Sequence, residues 1–441
     1  MTTSPLHPAA AAIAAVRVEL RAALDVAGDL DEAALVDAIG QLETLGRTVT
    51  AAQAALTAAL DERLTRQQAD AGTSPGDLGR GVGEVVALAR RESPHRGRRH
   101  LSLARIVPTE LPHTWAAWRT GRIDEWTATV IARETACLPL SHRLAVDEIV
   151  AGDAEEPEGL ERLSARQLLA RLRREAERLD PAACVARRHQ AESERRVTLR
   201  PAPDSMTWLT ALLPVKDGVA AYATLTRAAD TARAEGDPRS RGQAMADALV
   251  AGILTGDGRR STVPVALGVV MSDAALFGGA DDEAHVEDFG PIPAELAREI
   301  VCGALTADEV VSVRRLYASP TSGELVAMDS STRTFRGSLA RFIRLRDRSC
   351  RTPWCDAPIR HVDHATEHDA DGATSAHNGQ GLCEACNHAK TAHRWRARPQ
   401  PDGSVTTTLP TGHSHTTRPP PITTARIRRR TPYRSCRSTT C

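Results

Sequence analysis

Residues 350–393 read CRTPWCDAPIRHVDHATEHDADGATSAHNGQGLCEACNHAKTAH. The chain has nine cysteines and fifteen histidines, and this one stretch holds four of the former and six of the latter. A hydrophobic core requires no such crowding, whereas a metal site does. Cys350 and Cys355 form a C-x4-C pair, and Cys383 and Cys386 a C-x2-C pair. Two knuckles of this kind bring four thiolates to the corners of a tetrahedron, the closed geometry of structural zinc. Four ordinary buried thiols would not explain the pairing.

The loop between the knuckles carries chemistry of its own. Ile359 to Asp363 reads as a short strand ending in the pair Asp363-His364, a turn follows through DADGATS, and EACNHAK opens a helix bearing Asn387 and Lys390. Phosphodiester hydrolysis needs a base to deprotonate water and a cation to neutralise the charge developing on the leaving oxygen. His364 suits the base, because imidazole titrates near neutral pH. Asp363 points to the opposite strand face, so a carboxylate to metal and an imidazole to water can divide the work. Asn387 supplies a neutral oxygen from the helix, although a shift of one residue in helix register would put His388 there instead. A hard, hydrated ion such as Mg²⁺ or Mn²⁺ fits an Asp–Asn pair better than zinc does. Lys390, three residues after Asn387 on one helix face, is placed to meet a phosphate. His361 alternates with Asp363 along the strand, and His368 and His377 read as solvated loop residues. Trp354 and Trp395 are expected to cover the zinc knuckles.

These anchors resemble the HNH endonuclease family over about residues 340–397. The resemblance implies a ββα-metal fold with His364 as general base, Asp363 and Asn387 as ligands of the catalytic metal, and Asn378 as the residue holding the loop that bears the base. It also implies 5′-phosphate and 3′-hydroxyl products. Asp stands at the first ligand position and Asn at the last, and GQG replaces the more usual apolar residues between Asn378 and Leu382. The helical region upstream resembles, by order and composition, the domain of unknown function 222, which often precedes an HNH module.

Outside this segment the chain looks soluble and helix-rich. Of 441 residues, 41% are hydrophobic, 25% charged and only 3% aromatic, a mix that favours helices packed through small side chains. The net charge of zero hides an asymmetry: from Arg341 onward there are 17 Arg and Lys against 8 Asp and Glu. A basic end on an acidic body is the pattern expected when that end meets a polyanion, here DNA. No stretch approaches the ~20 apolar residues of a membrane span, and the Ala-rich run from Ala9 to Val16 lacks the basic flank of a signal peptide. A cytoplasmic location, with no membrane partner, is the expectation.

The expected class is α+β: a mostly helical region over 1–190, a mixed part over 191–335, the zinc-stapled module over 336–398, and a basic disordered tail over 399–441. Two helices are expected over 5–72, the second capped by Asp31 and carrying Leu35, Leu42, Val49 and Leu56 at intervals of seven. The basic run RRESPHRGRRH (Arg90 to His100) is a solvated helix end or a phosphate contact. After residue 195, two strands and a helix are expected, with breaks at Pro201, Pro203 and Asp217-Gly218, then a helix near 240–255. A buried strand over Val263–Ser272, an acidic loop over 279–290 and strands near 310–318 and 324–329 complete the reading. It points to a metal-dependent DNA endonuclease. The alternatives are a non-catalytic zinc-ribbon DNA-binding protein and a helical interaction protein carrying a degenerate module.

Overall fold

The computed structural model describes residues 8–25, 27–152, 159–255, 267–287, 289–306, 335 and 337–420. They are mostly helical, with small antiparallel sheets. The chain divides into two compact units: Met1–Arg63 with Arg99–Val185, and Leu64–Arg98 with Ala186–Cys441. This differs from contiguous boundaries at 190, 335 and 398, because the segment around α3 (Val82–Arg90) goes with the C-terminal unit.

The first unit contains α1 (Pro8–Asp25) and most of α2 (Glu32–Asp70), whose first turn is capped by Asp31 through a 2.8 Å bond from the Ala34 amide. With them are α4 (Pro94–Glu110, from Arg99 on), α5 (Pro112–Arg119), α6 (Glu125–Thr135), α7 (Leu140–Ala151) and α8 (Ala165–Leu179), followed by the start of α9 (Pro181–Ser193). Ala51 and Ala54 of α2 meet a core built on Val107, Trp118, Ile131, Val146 and Leu172. Trp118 keeps its indole N–H satisfied by donating to Thr50 Oγ1 at 3.0 Å. Asp147 is fully buried because it caps α5, accepting from the His113 and Thr114 amides at 2.7 and 3.0 Å.

The second unit opens its C-terminal part with an antiparallel hairpin, β1 (Arg196–Pro201) and β2 (Thr207–Leu212). Two mutually packed helices follow, α10 (Val215–Ala234) and α11 (Arg241–Thr255). Asp217-Gly218, expected as a break, falls in the first turn of α10, where an acidic side chain complements the helix dipole. Among the described residues of the expected buried strand, only β3 (Val269–Val270) is extended, and it is half-buried. After α12 (Asp273–Phe277), the expected acidic loop carries β4 (Ala284–Val286) and runs into β5 (Gly290–Ile292). These strands pair in the order β3-β4-β5 and pack through Ala284, Val286 and Ile292 on α13 (Ala294–Thr306). The strands expected near 310–318 and 324–329 lie outside the described residues.

The last part places the metal-type residues. α14 (Gly337–Asp347) precedes the first knuckle, β6 (His361–His364) pairs antiparallel with β7 (Gly379–Leu382), and α15 (Glu384–Ala389) begins directly after Cys383 and carries Cys386 of the second. The glycines of GQG have a packing reason. A Cβ on Gly379 would stand 2.3 Å from Ile343 Cδ1, and one on Gly381 would stand 2.4 Å from Ile359 Cδ1. Bare backbone thus lets neighbouring apolar side chains lie on β7, in place of side chains from β7 itself. The described residues beyond 399 depart from the expected disordered tail, since β8 (Arg396–Pro399), β9 (Val405–Thr408) and β10 (Ser414–Thr417) form an antiparallel sheet in the order β10-β9-β8; the tail after Pro420 lies outside the described residues.

α3 completes this part of the unit. Every residue from Val82 to Leu88 is buried, as befits a helix apolar nearly all round. Just before it, Gly81 has φ +82°, and a Cβ there would stand 2.8 Å from Trp395 Nε1 and 2.9 Å from Ala392 Cβ. Trp395 therefore packs on this turn. Trp354, expected as a knuckle cover, is 41% exposed, with His415 edge-on at 5.4 Å.

Candidate functional site

All four cysteines of the two knuckles are buried and free of disulfides. One ligand atom from each lies within 4.8 Å of the others, the only such group among the described residues. Cys383 also caps α15, its sulphur accepting from the Cys386 amide at 3.4 Å. Hydrogen bonding among the thiols pushes Cys355 and Cys386 above their ordinary range and Cys350 and Cys383 below it. Four thiols crowded this way need a cation to release their protons together. The set is a closed metal-binding cluster of the all-sulphur type that zinc takes as a structural ion.

Buried ion pairs brace the cluster. Asp347 accepts from Arg346 Nε at 2.7 Å, from Arg351 Nη1 at 3.0 Å and from the Gly381 amide at 2.7 Å. Arg346 in turn donates to the carbonyls of Ala376 and Gly379. Arg351 donates to the Thr417 carbonyl at 3.0 Å, which fixes β10 to the first knuckle. A carboxylate with this many donors tolerates complete burial.

At the other end of β6, Asp363 and His364 face an open cleft of ≈ 350 Å³, lined also by Phe335, Val362, Glu367, His368, Asp369, Lys390 and Thr391. His364 is buried, with its Nε2 2.8 Å from Thr374 Oγ1 and its ring 4.7 Å from that of Phe335. Its Nδ1 lies 3.6 Å from Asp363 Oδ1, too long for a hydrogen bond. Burial holds the imidazole below its ordinary pKa, against the pull of Asp363. For Asp363, burial works against ionisation, but the ammonium of Lys390 and the neighbouring His364, whose amide donates to the carboxylate, together keep the carboxyl below the usual range. Lys390 Nζ sits 2.6 Å from Asp363 Oδ2 and 2.6 Å from the His364 carbonyl. It is thus engaged within the protein, in contrast to the expected phosphate contact.

Asn378 closes the loop that follows His364. Its Oδ1 accepts from the Thr366 amide, and its Nδ2 donates to the carbonyls of Thr366 and Ala373, each at 2.9 Å. Asn387 lies on α15, which packs on β6, and is not among the residues lining the cleft. Its Oδ1 is buried and accepts no hydrogen bond among the described residues. His361, His377 and His388 are exposed, and none of them lines the cleft. The sequence reading missed Thr374 and Phe335 as partners of His364; His368 is exposed, as expected, with its ring 5.8 Å from that of His364. No spacing rule marks these residues; only the loop closed by Asn378 brings Thr374 back to β6.

The basic run before residue 100 is paired within its own units. Arg90 and Arg96 meet Glu92 at 3.6 and 3.7 Å, Arg98 meets Glu84 at 3.7 Å, and buried His100 meets Glu125 at 2.8 Å. No helix among the described residues is long and apolar enough to cross a membrane.

A family model described as a domain of unknown function (DUF222) matches residues 41–347, ending just before the first knuckle cysteine. The uncharacterized protein Rv3776 of Mycobacterium tuberculosis is 28% identical over 443 residues, covering 89% of this chain and 80% of that protein. The uncharacterized protein Rv2100 of the same species is 35% identical over 136 residues, covering 30% of this chain and 22% of its own length. No solved structure matches.

Proposed function

The chain belongs to the DUF222 family, and we propose that the segment following the family match makes it a metal-dependent DNA endonuclease of HNH type. The observation that carries this reading is His364: a buried imidazole at the mouth of a cleft, with one nitrogen anchored on Thr374 and the other without a hydrogen bond to Asp363. Thr374 accepting from Nε2–H leaves the Nδ1 lone pair to take a proton from water. The resulting hydroxide attacks phosphorus, the P–O3′ bond breaks, and the departing 3′ oxygen gains a proton from solvent. A pKa held low by burial keeps the imidazole in its basic form at neutral pH.

The donor set also suits a second, hard cation. Asp363 offers a carboxylate held ionised, and Asn387 offers a buried amide oxygen with no other use among the described residues. Both are oxygen donors, appropriate to Mg²⁺ or Mn²⁺. A divalent ion held there would supply charge neutralisation on the phosphate and its leaving oxygen. Until such an ion binds, Lys390 balances Asp363. The four cysteines serve as a separate, structural zinc site.

Supercoiled-plasmid cleavage tests the reading, with zinc-loaded wild type beside His364→Ala, in Mg²⁺, Mn²⁺ or EDTA. Nicking or linearisation that needs the divalent ion and vanishes in the variant is the expected result. Metal-independent DNA binding without cleavage, unchanged by His364→Ala, would make the protein a zinc-ribbon binder instead.

A further inference from the structure

The helix α2 carries two opposed faces. Ala51, Ala54 and Thr57 are buried in the first unit. On the other side Leu35, Leu42, Val49 and Leu56 are 37%, 47%, 45% and 59% exposed. These four recur every seven residues, the interval that keeps a seam facing another helix and not the 3.6-residue drift of a globular face. Three residues after each stand Ala38, Leu45, Ala52 and Ala59, the companion positions of such a seam. The charged residues between Ala33 and Leu60 are Asp37, Glu43 and Arg47, and none of them falls on a seam position or beside one on its flank. A contiguous uncharged apolar stripe of this length marks an interaction surface.

We propose that this stripe pairs antiparallel with α2 of a second copy of the chain. Self-complementarity selects the occupant. In an antiparallel pair centred beside residue 47, Leu35 meets the partner's Ala59, Leu42 the partner's Ala52, and Leu56 the partner's Ala38, with Val49 against the partner's Leu45 in the middle. Outside that central layer each large side chain lies over a small one, so the outer layers fill evenly. Parallel pairing would stack leucine on leucine and alanine on alanine, leaving gaps at every alanine layer. The contact runs about 36 Å along the helix, and as an isologous two-fold interface it closes at a dimer.

The test is the mass of the zinc-loaded full chain by light scattering or sedimentation at micromolar concentration. A dimer is expected, weakened at least roughly tenfold by Leu42→Asp and by Ala52→Leu. Ala52→Leu overfills the layer opposite Leu42 but adds only a good helix former to the free monomer, so it guards against misfolding of the first variant. Under mild oxidation, the Leu42→Cys, Ala52→Cys double variant should give a 42–52 cross-link between chains, identified by mass spectrometry. A wild-type monomer would mean that α1 or an unrelated partner covers the stripe. A dimer indifferent to both substitutions, or a 42–42 cross-link in Leu42→Cys alone, would equally overturn the antiparallel pairing.

Discussion

The two ends of the β6–β7 pair present opposite kinds of polar site. At one end, His361 pairs with Leu382 beside the knuckles, and four buried sulphurs face one another with no route to a substrate. At the other end, His364 pairs with Gly379, and a carboxylate and an imidazole face an open cleft, while Asn387 on α15 carries a buried amide oxygen without a partner among the described residues. The first end closes four sulphurs on one another; the second leaves a buried amide oxygen without a partner among the described residues. The closed end holds the strands in register, and that register fixes where the open end puts its reactive groups.

The largest expected effect comes from breaking the closed end. Cys383→Ser should abolish stoichiometric zinc by metal analysis and remove the near-UV circular dichroism of the C-terminal part, because metal binding of this kind is folding free energy on the order of 10 kcal/mol. Retained zinc with native-like dichroism would mean that the knuckle does not organise the strands. Next is Asn378→Ala, which removes three hydrogen bonds around the loop after β6. It should lower stability by roughly 2–3 kcal/mol in urea unfolding and lower cleavage as well, while zinc content stays unchanged.

Smaller effects probe the open end alone. Thr374→Val frees Nε2 of His364 and should reduce kcat about tenfold with little change in KM, and Thr374→Ser should restore it. Equal rates in the valine and serine variants would show that the hydroxyl does not orient the ring. The subtlest is pH dependence. The base must be neutral, and burial lowers its pKa from 6.5, so the acid limb of kcat/KM should fall below pH 6.5. A limb above 6.5 would assign the rate to another group.

Much of this contrast was legible in the sequence, and for definite reasons. Knuckle spacing, the Asp363-His364 pair and the Asp31 cap are local patterns, each set by residues within a few positions of one another. What escaped reading depends on distant partners. The sheet β8–β10 has only partly buried strands rich in Thr and Arg, with no clean apolar alternation. It is held by the cross-strand pairs Thr406–Thr416 and Thr408–Ser414, each at 3.0 Å, and by Arg351. α3 reads like any other helix of its region, and nothing local says that its neighbours are Trp395 and Ala392.

That placement of α3 has a consequence for biosynthesis. The helix leaves the ribosome long before the cysteines; Gly97 and Arg98 of α4, which lie against it, follow at once, whereas the Trp395 and Ala392 that pack on its N-terminal turn come from the C-terminal part. A nascent or prematurely terminated chain would display the apolar N-terminal turn of this helix without its cover, a feature that chaperones and proteases recognise. Completion of the C-terminal part is what removes it from view, so a truncated product advertises its own incompleteness for disposal.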